Sequence, residues 1–174
     1  MYKGIVYWIT GLSGAGKTTI GKLLYEKLKN EKDNVVFLDG DILREIFGGD
    51  LGYSVEDRKK SAMRNSRICK ELSEQGIDVV CTTISMFDEC RKWNRENIKS
   101  YKEIYIKVPM KQLIQRDQKG LYSRALKGQV KNVMGIDIDF EEPKNPNIII
   151  LNDGSEEPHK IIDKIIKMIK ECQR

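Results

Sequence analysis

Five short runs of apolar, mostly β-branched residues recur along the chain, with stretches of helical periodicity between them. Continuous apolar runs of this length are typical of strands buried on both faces, and their alternation with amphipathic helices indicates parallel βαβ units. We therefore expect an α/β fold of three layers with a mostly parallel sheet. The predicted strands are 5–10, 35–38, 79–85, 103–108 and 148–151, and the predicted helices are 17–30, 54–75, 87–99, 110–117 and 156–172.

The alternation breaks between residues 118 and 146, where lysine, arginine and glycine stand without a clear apolar face. Long irregular segments in compact domains are often lids over an active site, and the alternative is a surface loop. The length of 174 residues fits one domain over residues 1–174, with a mobile lid at about 118–146.

Composition narrows the classes of partner and the compartment. A net charge of +5 without a basic run favours phosphorylated small molecules over a nucleic-acid polymer. No apolar stretch is long enough to span a membrane and no signal peptide precedes the first strand, so we expect a cytoplasmic protein. The cysteines form no CxxC pair, and with the single His159 they make no zinc site, so we expect reduced thiols. They are Cys69, Cys81, Cys90 and Cys172.

The segment Gly11–Thr18 reads GLSGAGKT, which matches the phosphate-binding motif GxxxxGK[ST] between a predicted strand and a predicted helix. Glycines let backbone N–H groups face phosphate oxygens, Lys17 reaches the β and γ phosphates, and Thr18 offers a hydroxyl to Mg²⁺. The alternative is a glycine-rich turn without a ligand. We predict binding of ATP with Mg²⁺ by Gly11, Ser13, Gly14, Ala15, Gly16, Lys17, Thr18 and Thr19.

Two carboxylates, Asp39 and Asp41, follow the second predicted strand, at the edge where open α/β sheets bind ligands. One of them can support the metal and the other can accept a hydroxyl proton, although aspartates after strands also cap helices and form turns. We predict Asp39 and Thr18 as metal ligands. The guanine-specificity motif NKxD is absent from the sequence, so adenine is the expected donor base.

Several uncommon strings resemble the adenylylsulfate kinases, which phosphorylate the ribose 3′-hydroxyl of adenosine 5′-phosphosulfate and have a P-loop nucleotide-kinase fold. These strings are GLSGAGKTT, LDGD, LGYSVEDR, TTIS, QRDQKGLYSRA and GID, in one order over nearly the whole chain. The resemblance implies catalytic roles for Asp41, Asp39, Lys17 and Ser85, and a donor contact from Arg116. It implies acceptor contacts from Asp41, Arg44, Tyr53, Arg58, Ser61, Ile84, Ser85, Lys119 and Val133. Whether the protein forms a homodimer is left open by the sequence.

The departures from the family pattern fall on the acceptor side. Ser61 stands where the family has Asn, Met63 where it has Arg, and Val133 where it has the Phe expected to stack on adenine, while Tyr53 keeps the other face. Stacking of a base is worth about 1 to 3 kcal/mol. We therefore expect a changed acceptor. The resemblance to a family member that phosphorylates a cytidine nucleotide for capsular polysaccharide implies that this acceptor is cytidine diphosphoramidate. The alternatives are adenosine phosphosulfate and, more remotely, a nucleotide-binding module without catalysis.

Overall fold

Residues 3–171 are described by a computed structural model, in which five parallel strands form one sheet in the order β2-β3-β1-β4-β5. Each strand begins and ends within two residues of its predicted bounds, and the three-layer α/β fold is confirmed. They are β1 at Val6–Thr10, β2 at Val35–Asp39, β3 at Asp78–Thr83, β4 at Tyr101–Lys107 and β5 at Ile148–Leu151.

Side chains of successive strand residues enter two different cores, one on each face of the sheet. Tyr7 and Ile9 of β1 belong to the larger core, and Val6 and Trp8 belong to the smaller one. This alternation follows from the two-residue period of a strand and explains why these runs are apolar throughout. The helices are α1 at Lys17–Glu31, α2 at Gly40–Ile46, α3 at Val55–Glu74, α4 at Asp88–Asn97, α5 at Met110–Arg116, α6 at Leu121–Leu126 and α7 at Pro158–Glu171.

The structure contains two helices that the sequence did not predict. Helix α2 begins directly after β2, with Asp39 as its N-cap, which is one of the alternatives that the sequence left open for this aspartate. Helix α6 and a 3₁₀ turn at Gln118–Gly120 lie inside the expected lid. Such short helices show too few turns for a periodic pattern.

The segment 118–146 is therefore not a structureless loop. Tyr122, Val133, Met134 and Ile138 are buried there and belong to the larger core. Its exposed part is concentrated at 126–132.

Three of the four cysteines, Cys69, Cys81 and Cys90, are buried free thiols, and Cys172 lies outside the described residues. Among residues 3–171, no helix is long and apolar enough to cross a membrane.

Candidate active site

All five strands point the same way, so their carboxyl ends meet at one edge of the sheet. A cavity of about 550 Å³ opens there, between the glycine-rich loop, the ends of β2 and β3, the first turns of α3, and the segment 118–134. This is the position at which open α/β sheets bind ligands. Most of the predicted site residues line the cavity: Ser13, Gly14, Gly16, Lys17, Thr18, Thr19, Asp39, Asp41, Arg44, Tyr53, Arg58, Ser61, Ile84, Lys119 and Val133.

The glycine-rich loop has a backbone that residues with side chains could not reproduce. A Cβ atom on Gly11 would lie 2.6 Å from the Ile106 carbonyl oxygen, and Gly16 has a φ of 90° immediately before α1. No side chain caps the start of α1 and no acidic residue lies in its first turn. The N–H groups of that turn and the positive end of the helix dipole are therefore available to an anion.

Lys17 occupies the first position of α1, where its ammonium donates to the Leu12 carbonyl at 2.8 Å. Burial lowers the pKa of Lys17 to about 8, although the nearby carboxylates of Asp41 and Asp39 favour the charged form. An ammonium that is partly desolvated in this way interacts strongly with anions, because little water screens it.

Asp39 lies at the end of β2 and is almost fully buried. Its Oδ2 accepts hydrogen bonds from the hydroxyls of Thr18 and Thr82, each at 2.8 Å, and its Oδ1 accepts from the Asp41 N–H at 3.0 Å. Burial opposes ionisation of this carboxyl, but these hydrogen bonds outweigh burial and hold its pKa below the usual value. Asp39 therefore keeps its negative charge beside Thr18.

The Thr18 hydroxyl and the Asp39 carboxylate supply the kind of oxygen ligands that Mg²⁺ prefers. Within residues 3–171, no group of three or more histidines, cysteines or acidic residues could hold a metal alone. Mg²⁺ in phosphotransferases is completed by substrate phosphates and water, so this sparse pair fits a cation that arrives with ATP.

On the opposite side of the cavity, two guanidinium groups lie close to the ring of Tyr53. The Cζ atoms of Arg44 and Arg58 are 4.7 and 5.3 Å from the centre of its ring. Arg44 also donates to the carbonyls of Leu51 and Gly52 at 2.8 and 2.9 Å. The arginines thus hold the loop before α3, and neither pairs with a carboxylate among the described residues, which leaves their charge available to an anionic acceptor.

Arg58 also connects α3 to the segment opposite. Its guanidinium donates to the Tyr53 carbonyl at 3.0 Å and to the Asn132 carbonyl at 2.8 Å. Asp137 accepts from the N–H groups of Asn132 and Val133, at 2.6 and 2.5 Å. The turn that carries Val133 is therefore fixed to the acceptor side of the cavity.

The lining residues carry an excess of positive charge. They include six cations and two carboxylates, and the cations form no ion pair with a carboxylate in the described part of the chain. A polyanion such as a triphosphate compensates this positive charge, and a second anionic substrate would compensate more of it. The cations are Lys17, Arg44, Arg58, Lys119, Arg124 and Lys131.

Some residues predicted for the site lie elsewhere. Gly11 and Ala15 are buried within the loop, and Arg116 does not line the cavity but donates to the carbonyls of Asn152 and Gly14, at 2.7 and 3.4 Å. Ser85 is fully buried, and its hydroxyl interacts with the Cys90 thiol and does not line the cavity. Its predicted catalytic role would therefore require exposure that this structure does not give.

Met63, one of the three departures on the acceptor side, does not line the cavity either. Its sulfur accepts from the Cys90 thiol at 3.5 Å, between α3 and α4. Residue spacing along a helix could have indicated this, because Met63 is two positions from Ser61 and thus on a different face.

The structure adds residues that the sequence did not single out. Thr82, Thr83, Arg124 and Lys131 line the cavity. Thr82 and Thr83 lie at the carboxyl end of β3, so the sheet-edge rule could have indicated them. Arg124 belongs to the unpredicted helix α6, and no signal in the sequence placed it on the cavity side.

Comparison with known proteins agrees with this geometry. The sequence profile described as adenylylsulphate kinase matches residues 3–151. The chain belongs to the adenylylsulfate kinase family. Adenylylsulfate kinases and their relatives are phosphotransferases with a hydroxyl acceptor, which use ATP with Mg²⁺, and the chain is an enzyme of this class.

Individual members of the adenylylsulfate kinase family differ in their acceptors. The cytidine diphosphoramidate kinase of Campylobacter jejuni is 46% identical to the chain, over 94% of it and 95% of the relative. The adenylyl-sulfate kinase of Halothermothrix orenii is 38% identical, over 97% of the chain and 91% of the relative. An APS kinase of Mycobacterium tuberculosis, solved with AMPPNP and APS, superposes with a TM-score of 0.89 at 30% identity, covering 98% of the chain and 99% of that structure.

Proposed function

We propose that the chain transfers the γ-phosphate of ATP to the ribose 3′-hydroxyl of a small nucleotide, with cytidine diphosphoramidate as the preferred acceptor, in the synthesis of capsular phosphoramidate. The observation that carries this proposal is the acceptor side of the cavity. Ser61 and Val133 line it where the family pattern has an amide and an aromatic ring. The 46% identity to a cytidine diphosphoramidate kinase supports the same acceptor.

Val133 determines how well a purine would bind. Its side chain is 3% exposed, and its backbone is fixed by Asp137, so it cannot be exchanged for a neighbouring aromatic residue by a small shift of the turn. Loss of one stacking face costs about 1 to 3 kcal/mol for a base. A pyrimidine has less stacking area than adenine and loses less of it.

In the proposed reaction, Asp41 accepts the proton of the acceptor hydroxyl. Asp41 lines the cavity, and its own N–H is held by Asp39, which fixes its backbone at the start of α2. Lys17 and the lid cations Lys119 and Arg124 face the donor phosphates, where they neutralise charge as the phosphoryl group moves. Thr18 and Asp39 would hold the Mg²⁺ that arrives with ATP, and the metal would supply further neutralisation of charge on the phosphates. Phosphoryl transfer needs such positioning and charge more than covalent help.

Segment 118–146 serves as the lid in this proposal. Arg58 and Asp137 hold its turn at Asn132 and Val133, and Lys119 and Arg124 lie on its cavity side. The three lining cations Lys119, Arg124 and Lys131 gain partners when phosphates bind, which would draw the segment over the site and exclude water.

Steady-state kinetics with cytidine diphosphoramidate and adenosine phosphosulfate, at equal ATP and Mg²⁺, test the acceptor. We expect kcat/KM to be at least about tenfold higher for the cytidine compound, or roughly 1.4 kcal/mol of transition-state binding. Val133→Phe should narrow that ratio by supplying a stacking face. Val133→Ile adds volume without an aromatic ring and should leave the ratio near the wild-type value.

The main alternative is an adenylylsulfate kinase, which the match to the family and the structural similarity to the M. tuberculosis enzyme favour. It requires the opposite order of kcat/KM for the two acceptors. Absence of acceptor-dependent ATP turnover with both compounds would instead favour the non-catalytic nucleotide-binding module.

A further inference from the structure

The carbonyl groups of the glycine-rich loop are held from outside by side chains. The Ser13 carbonyl accepts from the Tyr122 hydroxyl at 2.8 Å. The Ala15 carbonyl accepts from the Asn152 side-chain amide, also at 2.8 Å. Tyr122 and Asn152 lie more than 100 residues from the loop in sequence, on α6 and just beyond β5.

These contacts fix the directions of two N–H groups. A trans peptide is planar, with its C=O and N–H pointing in opposite directions. The Ser13 carbonyl shares a peptide plane with the Gly14 N–H, and the Ala15 carbonyl shares one with the Gly16 N–H. Gly14 and Gly16 line the cavity, and their N–H groups have no partner among the described residues. Holding each carbonyl outward therefore holds each N–H inward, where phosphate oxygens bind.

Glycine makes this external support necessary. Gly14 and Gly16 have φ values of 74° and 90°, and a residue without a Cβ atom has many alternative conformations open to it. If the loop had to become ordered each time the nucleotide binds, the conformational entropy lost would weaken binding. A fixed outer hydrogen bond removes part of the cost before the nucleotide arrives.

Tyr122 is well placed to act as a rigid support. Its side chain is 1% exposed, so its ring is fixed by packing in the larger core. The Asp117 carboxylate accepts from the N–H groups of Tyr122 and Ser123, at 2.8 and 3.0 Å, and so fixes the first turn of α6. The position of the Tyr122 hydroxyl, and with it the Ser13 carbonyl that it binds, therefore depends on the position of α6.

Asn152 is supported from two sides. Its N–H donates to the Lys107 carbonyl at 2.9 Å, and its carbonyl accepts from Arg116 at 2.7 Å. A Cβ atom on Gly16 would lie 2.7 Å from the Asn152 amide nitrogen, so the side chain packs directly against the loop.

We propose that Tyr122 and Asn152 are positioning residues for the donor triphosphate, which act by orienting the N–H groups of Gly14 and Gly16. Tyr122 also connects α6, inside the segment 118–146, to the loop at Ser13. The inference concerns the donor side only and holds for either acceptor.

The test compares Tyr122→Phe with Tyr101→Phe, each of which removes one hydroxyl. Tyr101 begins β4, and its register partner is Val6 at the far end of β1, away from the loop. Its hydroxyl accepts from the Asn94 amide at 3.5 Å. The measurements are KM for ATP, KM for the acceptor, kcat, the Kd of AMPPNP with Mg²⁺, and the melting temperature.

We expect Tyr122→Phe to raise the AMPPNP Kd and the KM for ATP about threefold to tenfold, the range of one hydrogen bond, with the acceptor KM unchanged. Tyr101→Phe should leave the ATP constants at wild-type values, whatever it does to the melting temperature. Asn152→Ala should act like Tyr122→Phe, and Asn152→Gln should not restore affinity, because the longer side chain cannot keep its amide at the same place.

Two results would overturn the proposal. One is an AMPPNP Kd for Tyr122→Phe that equals that of Tyr101→Phe. The other is an equal change in the constants for ATP and acceptor, accompanied by a lower melting temperature, which is the signature of general destabilisation. Because AMPPNP binding needs no acceptor, these results do not depend on whether the cytidine acceptor is correct.

Discussion

The pKa of Lys17 predicts that kcat/KM for ATP falls at alkaline pH. With a pKa of about 8, about nine-tenths of the free protein carries the charged ammonium at pH 7 and about one-tenth carries it at pH 9. If only the charged form captures ATP productively, kcat/KM for ATP falls about tenfold over these two pH units. An exposed lysine, with a pKa near 10.4, would change little in that range.

The sign follows from the physical cause of the shift. Burial favours the neutral amine and lowers the pKa, whereas the carboxylates of Asp41 and Asp39 favour the ammonium. Bound phosphates add negative charge and raise the pKa again. We therefore expect kcat at saturating ATP to stay nearly constant from pH 7 to pH 9, because Lys17 remains charged in the complex.

The assay is ATP turnover with a saturating acceptor at half-unit pH steps, with kcat and kcat/KM fitted separately. Lys17→Arg is the matched control, since a guanidinium does not titrate below pH 12. Its remaining kcat/KM should lack the decline centred near pH 8. A flat wild-type profile, or the same decline in Lys17→Arg, would refute the reasoning.

Three further predictions concern the same site. Asp39→Asn should raise the Mg²⁺ concentration needed for half-maximal activity. It should also cost about 1 to 3 kcal/mol of unfolding free energy, because a hydrogen-bonded carboxylate is lost. Asp41→Asn should lower kcat at an unchanged Mg²⁺ requirement, and the reverse pattern would exchange the roles of the two aspartates. Gly16→Ala should weaken ATP affinity at least as much as Asn152→Ala, because its Cβ meets the Asn152 amide and its φ of 90° is strained for a residue with a side chain. Gly48→Ala, at a similar φ in open space, should lose only stability in a melting experiment, and equal ATP affinity in both variants would contradict this. Amide exchange at 118–133 should slow when donor and acceptor bind together, and identical exchange with and without them would argue against a lid.

The strands and the phosphate-binding loop could be predicted from the sequence because their signals are local. Each strand is centred on a short, mostly apolar run, and the spacing from Gly11 to Thr18 occurs within one strand-loop-helix unit. Parallel pairing then follows from the helices between the strands, and it brings Asp39 to the same sheet edge as Lys17. The position of the candidate site is therefore a consequence of sequence pattern and topology together.

Helical periodicity separates the faces of α3, but only the tertiary structure decided which of those faces meets the cavity. Met63 and Ser61 are close in sequence, yet Ser61 lines the cavity and Met63 packs against Cys90, because a helix turns about 100° per residue. Ser85 follows the predicted strand directly, but its hydroxyl is buried beneath the site.

The supports of the loop depend on tertiary structure in the same way. Tyr122 and Asn152 reach Ser13 and Ala15 across more than 100 residues of chain, and no local pattern marks either one. Periodicity reports whether a side chain is buried, and so it found the core. It does not report which distant backbone carbonyl a buried hydroxyl meets, because that depends on how α6 and β5 pack around the loop.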